Sequence, residues 1–171
     1  MYFKCPIILV NPSATSLTSA QRAVVSKVSK VIALGGTSSV SDELLADAEW
    51  HCPKRYSLRL GGTDRYATSA TIVEWELRQG MLLEAAGFAT GEAFPDALAS
   101  SYLLGCRVSI LGLVSPSGPN SQMMATIQSA AAAEGKPASI RIFGGNASVP
   151  DAVRAQIATA VGWNDWDIST E

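Results

Sequence analysis

Three pairs of adjacent glycines are the places in this sequence whose residue types and spacing suggest ligand chemistry. They are Gly35-Gly36, Gly61-Gly62 and Gly144-Gly145, and Thr or Asn follows each pair. The N–H groups that begin a helix can form an anion site, but glycine also simply lets a strand turn tightly into a helix. Both interpretations stay open. These turns lack the spacing of a dinucleotide fingerprint or a P-loop, so they support nucleotide binding only weakly.

An Asp-Arg-Tyr triplet, residues 64–66, follows the middle glycine pair. An arginine guanidinium can fork onto carboxylate or phosphate oxygens, and an aspartate favours the positive end of a helix. Arg59 lies just upstream and would add a second positive charge. An Asp64–Arg65 pair that only ties the loop down is the alternative. The candidate ligand-binding residues in this stretch are Arg59, Gly61, Gly62, Asp64, Arg65 and Tyr66.

A second polar cluster, "GEAFPDALAS", spans residues 91–100 at the end of another strand-like run. Pro95 suits the first turn of a helix, and Phe94 and Asp96 flank it. In an open parallel sheet the ligand crevice lies outside the carboxyl ends of the strands. Phe94 and Asp96 are therefore further candidate ligand contacts, although Asp96 equally fits a carboxylate that complements the helix dipole.

Composition excludes several classes of protein. The 171-residue chain is 47% hydrophobic and carries a net charge of -2, so it can bury a core but is not built for non-specific binding to nucleic acid. No apolar run reaches the roughly 18 residues that span a bilayer, so no membrane insertion is expected. The cysteines and the single histidine, His51, lack zinc spacing. We therefore predict no metal, no cofactor and unpaired, mostly buried thiols.

Strand-like and helical patterns alternate along the chain. The strand-like runs cover residues 6–10, 31–34, 57–60, 85–90, 108–114 and 139–143, and a helical pattern follows each of them. Alternation of this kind is typical of a parallel sheet that is covered on both faces. The prediction is a single α/β domain of three layers, Rossmann- or flavodoxin-like, with a mostly parallel sheet of about six strands.

The sequence also repeats itself. "VIALGGTSSVSDELLADAE" at 31–49 is similar to "IRIFGGNASVPDAVRAQIA" at 140–158, so that Gly35 matches Gly144. Upstream of these segments, Cys5 matches Cys106 within similar apolar runs. Residues 1–54 are therefore interpreted as the second part of a truncated repeat and residues 55–162 as a complete one. The chain is expected to be a piece of a longer protein.

Three blocks in a fixed order carry a family resemblance. They are "RLGGTDRYATSATI" at 59–72, "FATGEAFPDALASSYLLG" at 88–105 and "IRIFGGNASVPDAV" at 140–153. Together they resemble the cell-wall-binding repeat type 2 of Gram-positive surface proteins. Arg59, Asp64, Arg65 and Tyr66 match the first block of that pattern, and residues 94–98 match the second.

The resemblance implies a non-catalytic wall anchor of surface-layer proteins, adhesins or autolysins, located outside the cell at the wall surface. The implied ligand is an anionic wall polymer, and the implied partners are neighbouring repeats, three in tandem. We also expect self-association as a trimer, because one and a half modules leave uncovered the surfaces that tandem neighbours would cover. Two alternatives stay open. One is a nucleotide- or sugar-binding regulatory module, and the other is a hydrolase or transferase on a doubly wound sheet. Against the enzyme, the sequence has neither a G-x-S-x-G elbow nor a second histidine.

Overall fold

The computed structural model describes residues 5–163, which form six helices and five strands. In chain order these are α1 (Ser19–Val25), β1 (Val31–Leu34), α2 (Asp42–His51), β2 (Ser57–Leu60), α3 (Arg65–Arg78), β3 (Leu82–Thr90), α4 (Pro95–Cys106), β4 (Ser109–Val114), α5 (Ser121–Glu134), β5 (Arg141–Phe143) and α6 (Asp151–Ala160). The predicted α/β alternation is confirmed from β1 onward. Within the described range, no helix has both the length and the apolar character needed to cross a membrane.

The strands form two small parallel sheets, so the prediction of one sheet of about six strands is wrong. One sheet pairs β1 with β2, and the other has the order β4-β3-β5. The physical reason lies in the edges of the strands. Each strand has two hydrogen-bonding edges, and β4 and β5 occupy both edges of β3. The hydrophobic pattern predicted the five strands that form, but it held no information on which edges meet.

The apolar run at 6–10 is not a strand, which is a second correction. Ile7 and Leu9 are 88% and 87% exposed, whereas Ile8 and Val10 pack against buried residues. The side chains thus alternate as in a strand, but a strand also needs a neighbour for its backbone hydrogen bonds. In the corresponding part of the later copy, β4 pairs with β3. The described residues before β1 contain no counterpart of β3.

The chain divides into two compact units, which within the described range are residues 5–64 (unit 2) and 65–163 (unit 1). Unit 2 contains α1, β1, α2 and β2, around a small core of Leu17, Val25, Leu44, Ala48 and Cys52. Unit 1 contains the remaining elements. Its larger core includes Phe88, Ile110, Met123, Ile127 and Val149, all fully buried. Each unit therefore has its own hydrophobic core.

The repeated sequence segments form the same local structure, one in each unit. After β1 the chain turns and starts α2, and after β5 it turns in the same way and starts α6. Gly35 and Gly144 adopt positive φ values of 126° and 112°, a region that other residues resist. In both turns the residue five positions later, Val40 or Val149, donates its N–H to the carbonyl of the second glycine. Similar sequence thus gives the same strand–turn–helix unit twice.

Candidate functional site

Arg59 lies on β2, and its side chain forms hydrogen bonds with the turn that follows β1. Its Nη1 donates to the carbonyl oxygen of Gly35 at 3.0 Å, and its Nη2 contacts the Asp42 carboxylate at 3.0 Å. The Arg59 side chain is 21% exposed. The guanidinium therefore connects the turn to the start of α2. The carboxylate of Asp42 largely neutralises the charge of Arg59.

The middle glycine pair packs against the first pair inside unit 2. A Cβ atom on Gly61 would lie 2.6 Å from the carbonyl oxygen of Gly35, and one on Gly36 would lie 3.3 Å from the carbonyl oxygen of Gly62. Only glycine at position 61 allows this approach of the two backbones. Asp64 is exposed and, like Gly62, interacts with other residues of the chain. Turn packing is therefore a sufficient reason for Gly61.

Arg65 and Tyr66 begin α3 in unit 1 and lie at the carboxyl end of β3. Arg65 donates from Nη1 to the carbonyl oxygen of Gly91, and the Tyr66 hydroxyl donates to the Glu92 carboxylate at 2.6 Å. Burial is the main cause that raises the pKa of Tyr66, and the bond to Glu92 adds to it, while a hydrogen bond with Ser115 lowers it. The phenol therefore remains a hydrogen-bond donor near neutral pH.

Sequence reasoning did not name Gly91, Glu92 or Ser115 as parts of this cluster. A Cβ atom on Gly91 would lie 2.5 Å from the Tyr66 ring, so a glycine is required for the ring to lie against the strand end. Thr90 fixes the loop, because its Oγ1 accepts from the Glu92 N–H at 3.1 Å. Gly91 and Glu92 belong to the polar cluster at 91–100, and that cluster was the sequence signal from which they could have been predicted. Nothing in the pattern indicated Ser115.

Phe94 and Asp96 flank the start of α4, as predicted from Pro95. Phe94 is 75% exposed and provides no side-chain cap for the helix. Asp96 is half-buried, and its Oδ2 lies 2.8 Å from where a Cβ of Gly144 would stand. The carboxylate of Asp96 therefore faces the turn after β5, and the Phe94 ring faces solvent.

Arg154 on α6 is a further arginine at this edge of unit 1, and sequence reasoning missed it. Its Nε donates to the carbonyl oxygen of Val149 at 2.8 Å, and its Nη2 donates to that of Gly144 at 3.4 Å. Asp151 lies 3.8 Å from the guanidinium. Arg154 thus stabilises its turn much as Arg59 stabilises the turn in unit 2. The edge carries the cations Arg65 and Arg154 and the carboxylates Glu92, Asp96 and Asp151.

The neighbouring His51 and Cys52 do not form a nucleophile–base pair. The His51 Nδ1 lies 2.8 Å from the carbonyl oxygen of Asp47, while the Cys52 thiol points to the carbonyl oxygen of Val28 at 3.4 Å. Cys52 is buried, but Cys5 and Cys106 are exposed, so the prediction of mostly buried thiols is wrong. Within residues 5–163, no three His, Cys, Asp or Glu side chains are grouped as metal ligands.

Comparison with known proteins supplies a family and a fold. The family profile of Cell wall binding domain 2 (CWB2) matches residues 59–154. The structure is similar to that of Cwp8 from Clostridium difficile, with 13% identity and a TM-score of 0.73 over 88% of this chain and 24% of that chain. It is also similar to Cwp6 from Clostridium difficile, with 21% identity and a TM-score of 0.75 over 85% of this chain and 22% of that chain.

TM-scores of 0.73 and 0.75 show that the three proteins share a fold, and at identities of 13% and 21% the likeness shows the fold alone. This chain spans about a quarter or less of the length of either solved chain. No curated protein sequence matches it.

Proposed function

Because this chain belongs to the Cell wall binding domain 2 family and is a cell-wall-binding module, we propose that it anchors a larger protein to a Gram-positive wall by binding an anionic wall polymer. The observation that carries this proposal is the family match at 59–154, which includes all eight candidate ligand residues. The proposed role is non-catalytic and extracellular, at the wall surface, in a secreted surface-layer or related protein.

In unit 1, the proposed polymer contacts are Arg65, Tyr66, Phe94 and Asp96. Arg65 is exposed and supplies positive charge at the start of α3. The polar groups around it, including the Glu92 carboxylate, suit sugar hydroxyls, which both donate and accept hydrogen bonds. The exposed ring of Phe94 offers an apolar surface to a sugar ring. Arg154, which binds two carbonyls, supports the turn.

In unit 2, the proposed residues are Arg59, Gly61, Gly62 and Asp64. The hydrogen bonds of Arg59 to Gly35 and Asp42 favour a positioning role for its guanidinium. In this proposal Arg59 and Gly61 hold the two turns together, and the exposed Asp64 meets hydroxyl groups of the polymer. A polymer that meets many such weak contacts can still be held firmly, because linked contacts raise the effective concentration.

The proposed partners are neighbouring repeats or further copies of the chain. The matching turns support the interpretation of 1–54 and 55–162 as parts of two tandem repeats. Helix α4 offers a surface for a second copy, because Leu98 and Tyr102 lie one turn apart and are 67% and 83% exposed. Beside them runs a row of small residues at 97, 101 and 105. In the proposed contact, the large side chains on α4 of one copy pack against the small residues on α4 of another. A trimer is the expected species.

The alternatives receive less support. A nucleotide-binding module would use the glycine turns for phosphate, but Gly61 is explained by its packing against Gly35. A hydrolase needs a nucleophile beside a base, and in the described part of the chain the His51–Cys52 neighbours face different partners. Thermal melting with nucleotides, neutral sugars and wall polymer separates these classes, because a ligand of the folded state raises the melting temperature.

The direct experiment measures retention of the purified chain on Gram-positive cell walls before and after their anionic polymers are extracted. We expect retention on intact walls and loss of most of it after extraction. Equal retention on both preparations would refute the polymer as ligand. A shift of the melting temperature by nucleotide but not by wall polymer would favour the regulatory-module alternative instead.

A further inference from the structure

The amino ends of β1 and β2 carry a cluster of exposed cations and aromatic rings, at the edge of unit 2 opposite its glycine turns. The two ends lie side by side, since the Val31 N–H donates to the carbonyl oxygen of Tyr56 at 3.0 Å. Trp50 lies in the last turn of α2, and it is 66% exposed. Tyr56 is 45% exposed. The amino-end patch consists of Lys30, Trp50, Lys54, Arg55 and Tyr56.

Arg55 is held over the indole of Trp50, with its Cζ 3.6 Å from the ring centroid. Stacking uses the face of the guanidinium and leaves its in-plane N–H groups available to fork onto a carboxylate or phosphate. Arg55 also adopts a φ of 49°, a left-handed conformation that is unfavourable for a side chain with a Cβ. The ring contact restricts the arginine before any ligand arrives, which lowers the entropic cost of binding.

The other cations of the patch are exposed as well. The Lys30 Nζ lies 5.0 Å from the centroid of the Tyr56 ring, and Lys54 lies in the turn between Trp50 and Arg55. Across residues 5–163, no carboxylate forms a salt bridge with Lys30, Lys54 or Arg55. The neighbouring Glu49 is half-buried and accepts a hydrogen bond from the Ser57 hydroxyl.

This charge distribution differs from that at the glycine turns. There, Arg59 contacts Asp42 and Arg154 lies near Asp151. In a chain of net charge -2, a polyanion needs a local excess of positive charge. The amino-end patch supplies three cations without such a partner.

We propose that the amino-end patch is a second binding site, for an acidic saccharide segment of the wall polymer. Arg55 binds the carboxylate or phosphate of the segment, Lys30 and Lys54 add long-range attraction, and the exposed parts of Trp50 and Tyr56 contact the sugar rings. This inference rests on the proposed function, and it assigns the anionic groups of the polymer chiefly to unit 2.

The test compares two double variants with equal changes in charge. Lys54→Gln/Arg55→Gly removes two cations from the patch, and glycine at 55 suits the left-handed backbone, so the fold should keep or gain stability. Arg78→Gln/Lys136→Gln removes two cations from unit 1. Arg78 is exposed at the end of α3, and Lys136 follows α5 with its Nζ 5.8 Å from the centroid of the Trp163 ring. We expect about tenfold weaker retention on intact walls for the patch variant, since one or two charged hydrogen bonds are lost. The control should bind like wild type.

Polymers of known composition show which chemical groups the amino-end patch binds. Polygalacturonate has acidic groups on sugars, polyphosphate has anionic groups without sugars, and dextran has sugars without charge. We expect affinity electrophoresis to rank polygalacturonate above polyphosphate, with no retardation by dextran. Trp50→Ala should weaken the binding of polygalacturonate more than the binding of polyphosphate. Equal binding of polygalacturonate and polyphosphate would overturn the saccharide assignment.

The outcomes separate this inference from the proposed function. If wild-type retention does not depend on the wall polymers, the proposed function fails and the patch loses its ligand with it. If retention depends on the polymers but Lys54→Gln/Arg55→Gly binds as wild type does, the patch assignment alone is overturned.

Discussion

Arg59 Nη1 donates a 3.0 Å hydrogen bond to the carbonyl oxygen of Gly35, and this bond ties β2 to the turn that ends β1. The same guanidinium reaches Asp42 in the first turn of α2. One side chain thus connects a strand, a turn and a helix. A charged group that satisfies a half-buried carbonyl typically contributes about 1.5–3 kcal/mol.

Arg59→Ala is therefore expected to lower the free energy of unfolding by about 2 kcal/mol, because the Gly35 carbonyl loses its charged donor. Chemical denaturation monitored by circular dichroism measures this. Arg141→Ala is a useful control, since within residues 5–163 the Arg141 side chain donates only to the Ser139 hydroxyl, at 3.3 Å. Wild-type stability in Arg59→Ala, together with reduced wall retention, would instead assign this arginine to the ligand.

Alanine at Gly35 or Gly144 is expected to destabilise the protein at both positions. Each glycine has a positive φ, and an added Cβ would lie 3.0 Å from the Cβ of Ser39 or Ser148. The left-handed strain predicts a loss of about 1–2 kcal/mol in each variant. Gly105→Ala is the matched control, because Gly105 lies in α4 with open space around it. There, alanine should be neutral or stabilising by about 0.5–1 kcal/mol.

The local structure of this protein was predictable because its signals are local. Glycine followed by a small polar residue predicted the turns after β1, β2 and β5, and Pro95 predicted the start of α4. These features depend on a few neighbouring residues. The apolar run at 6–10 has the same local signal, yet it forms no strand because strand formation also depends on a partner elsewhere in the chain.

The long-range arrangement was not predictable, and it changes the interpretation of single residues. Arg59 looked like a ligand arginine, but residues 35 and 42 engage it. Tyr66 meets Glu92 only because α3 begins beside the end of β3. The amino-end patch was missed because its rings and cations come from the approaches to two strands that become neighbours only on folding.

Glu76 provides a pH prediction. Burial raises the pKa of Glu76 to about 7 from 4.5, so the folded protein holds the proton more tightly than the unfolded chain. The contribution of Glu76 to stability is complete below about pH 4.5 and is lost as pH rises through about 7. The whole loss is on the order of 3 kcal/mol.

Glu76→Gln should therefore remove this decline and stabilise the protein at pH 8, as seen in melting temperatures from pH 4 to 8. Glu74→Gln, on the same helix but at a carboxylate paired with Arg78, should leave the decline in place. A pH profile of Glu76→Gln that is parallel to wild type would contradict the assignment.

Self-association is predicted to use the exposed side of α4. Leu98 is 67% exposed and Tyr102 is 83% exposed, next to small side chains on the same helix. Leu98→Glu should shift sedimentation toward monomer without lowering the melting temperature, because this side of the helix is not part of the core. Leu82→Glu is the control, since Leu82 is also an exposed leucine, at 45%, but lies outside α4. A wild-type chain that stays monomeric at millimolar concentration would refute the association.

A substitution of Arg65 tests the proposed polymer site at the carboxyl end of β3. The side chain is exposed at the start of α3, and its contact with the Gly91 carbonyl leaves most of the guanidinium's five donors for other groups. If it meets an anionic group of the polymer, Arg65→Ala should reduce wall retention about tenfold or more, the loss of one charged hydrogen bond. The difference from wild type should shrink as salt rises, because ions screen exposed charges over about 8–10 Å near physiological ionic strength.

Arg78→Ala is the control for this variant, because it removes the same charge from the other end of the same helix. The Arg78 side chain is 73% exposed, so loss of its ion pair with Glu74 should cost little stability. Retention on walls and melting temperature must be measured on the same samples. A lower melting temperature with unchanged retention would mean that Arg65 only ties the loop to Gly91. Reduced retention at an unchanged melting temperature, in Arg65→Ala but not in Arg78→Ala, is the result that a ligand contact requires.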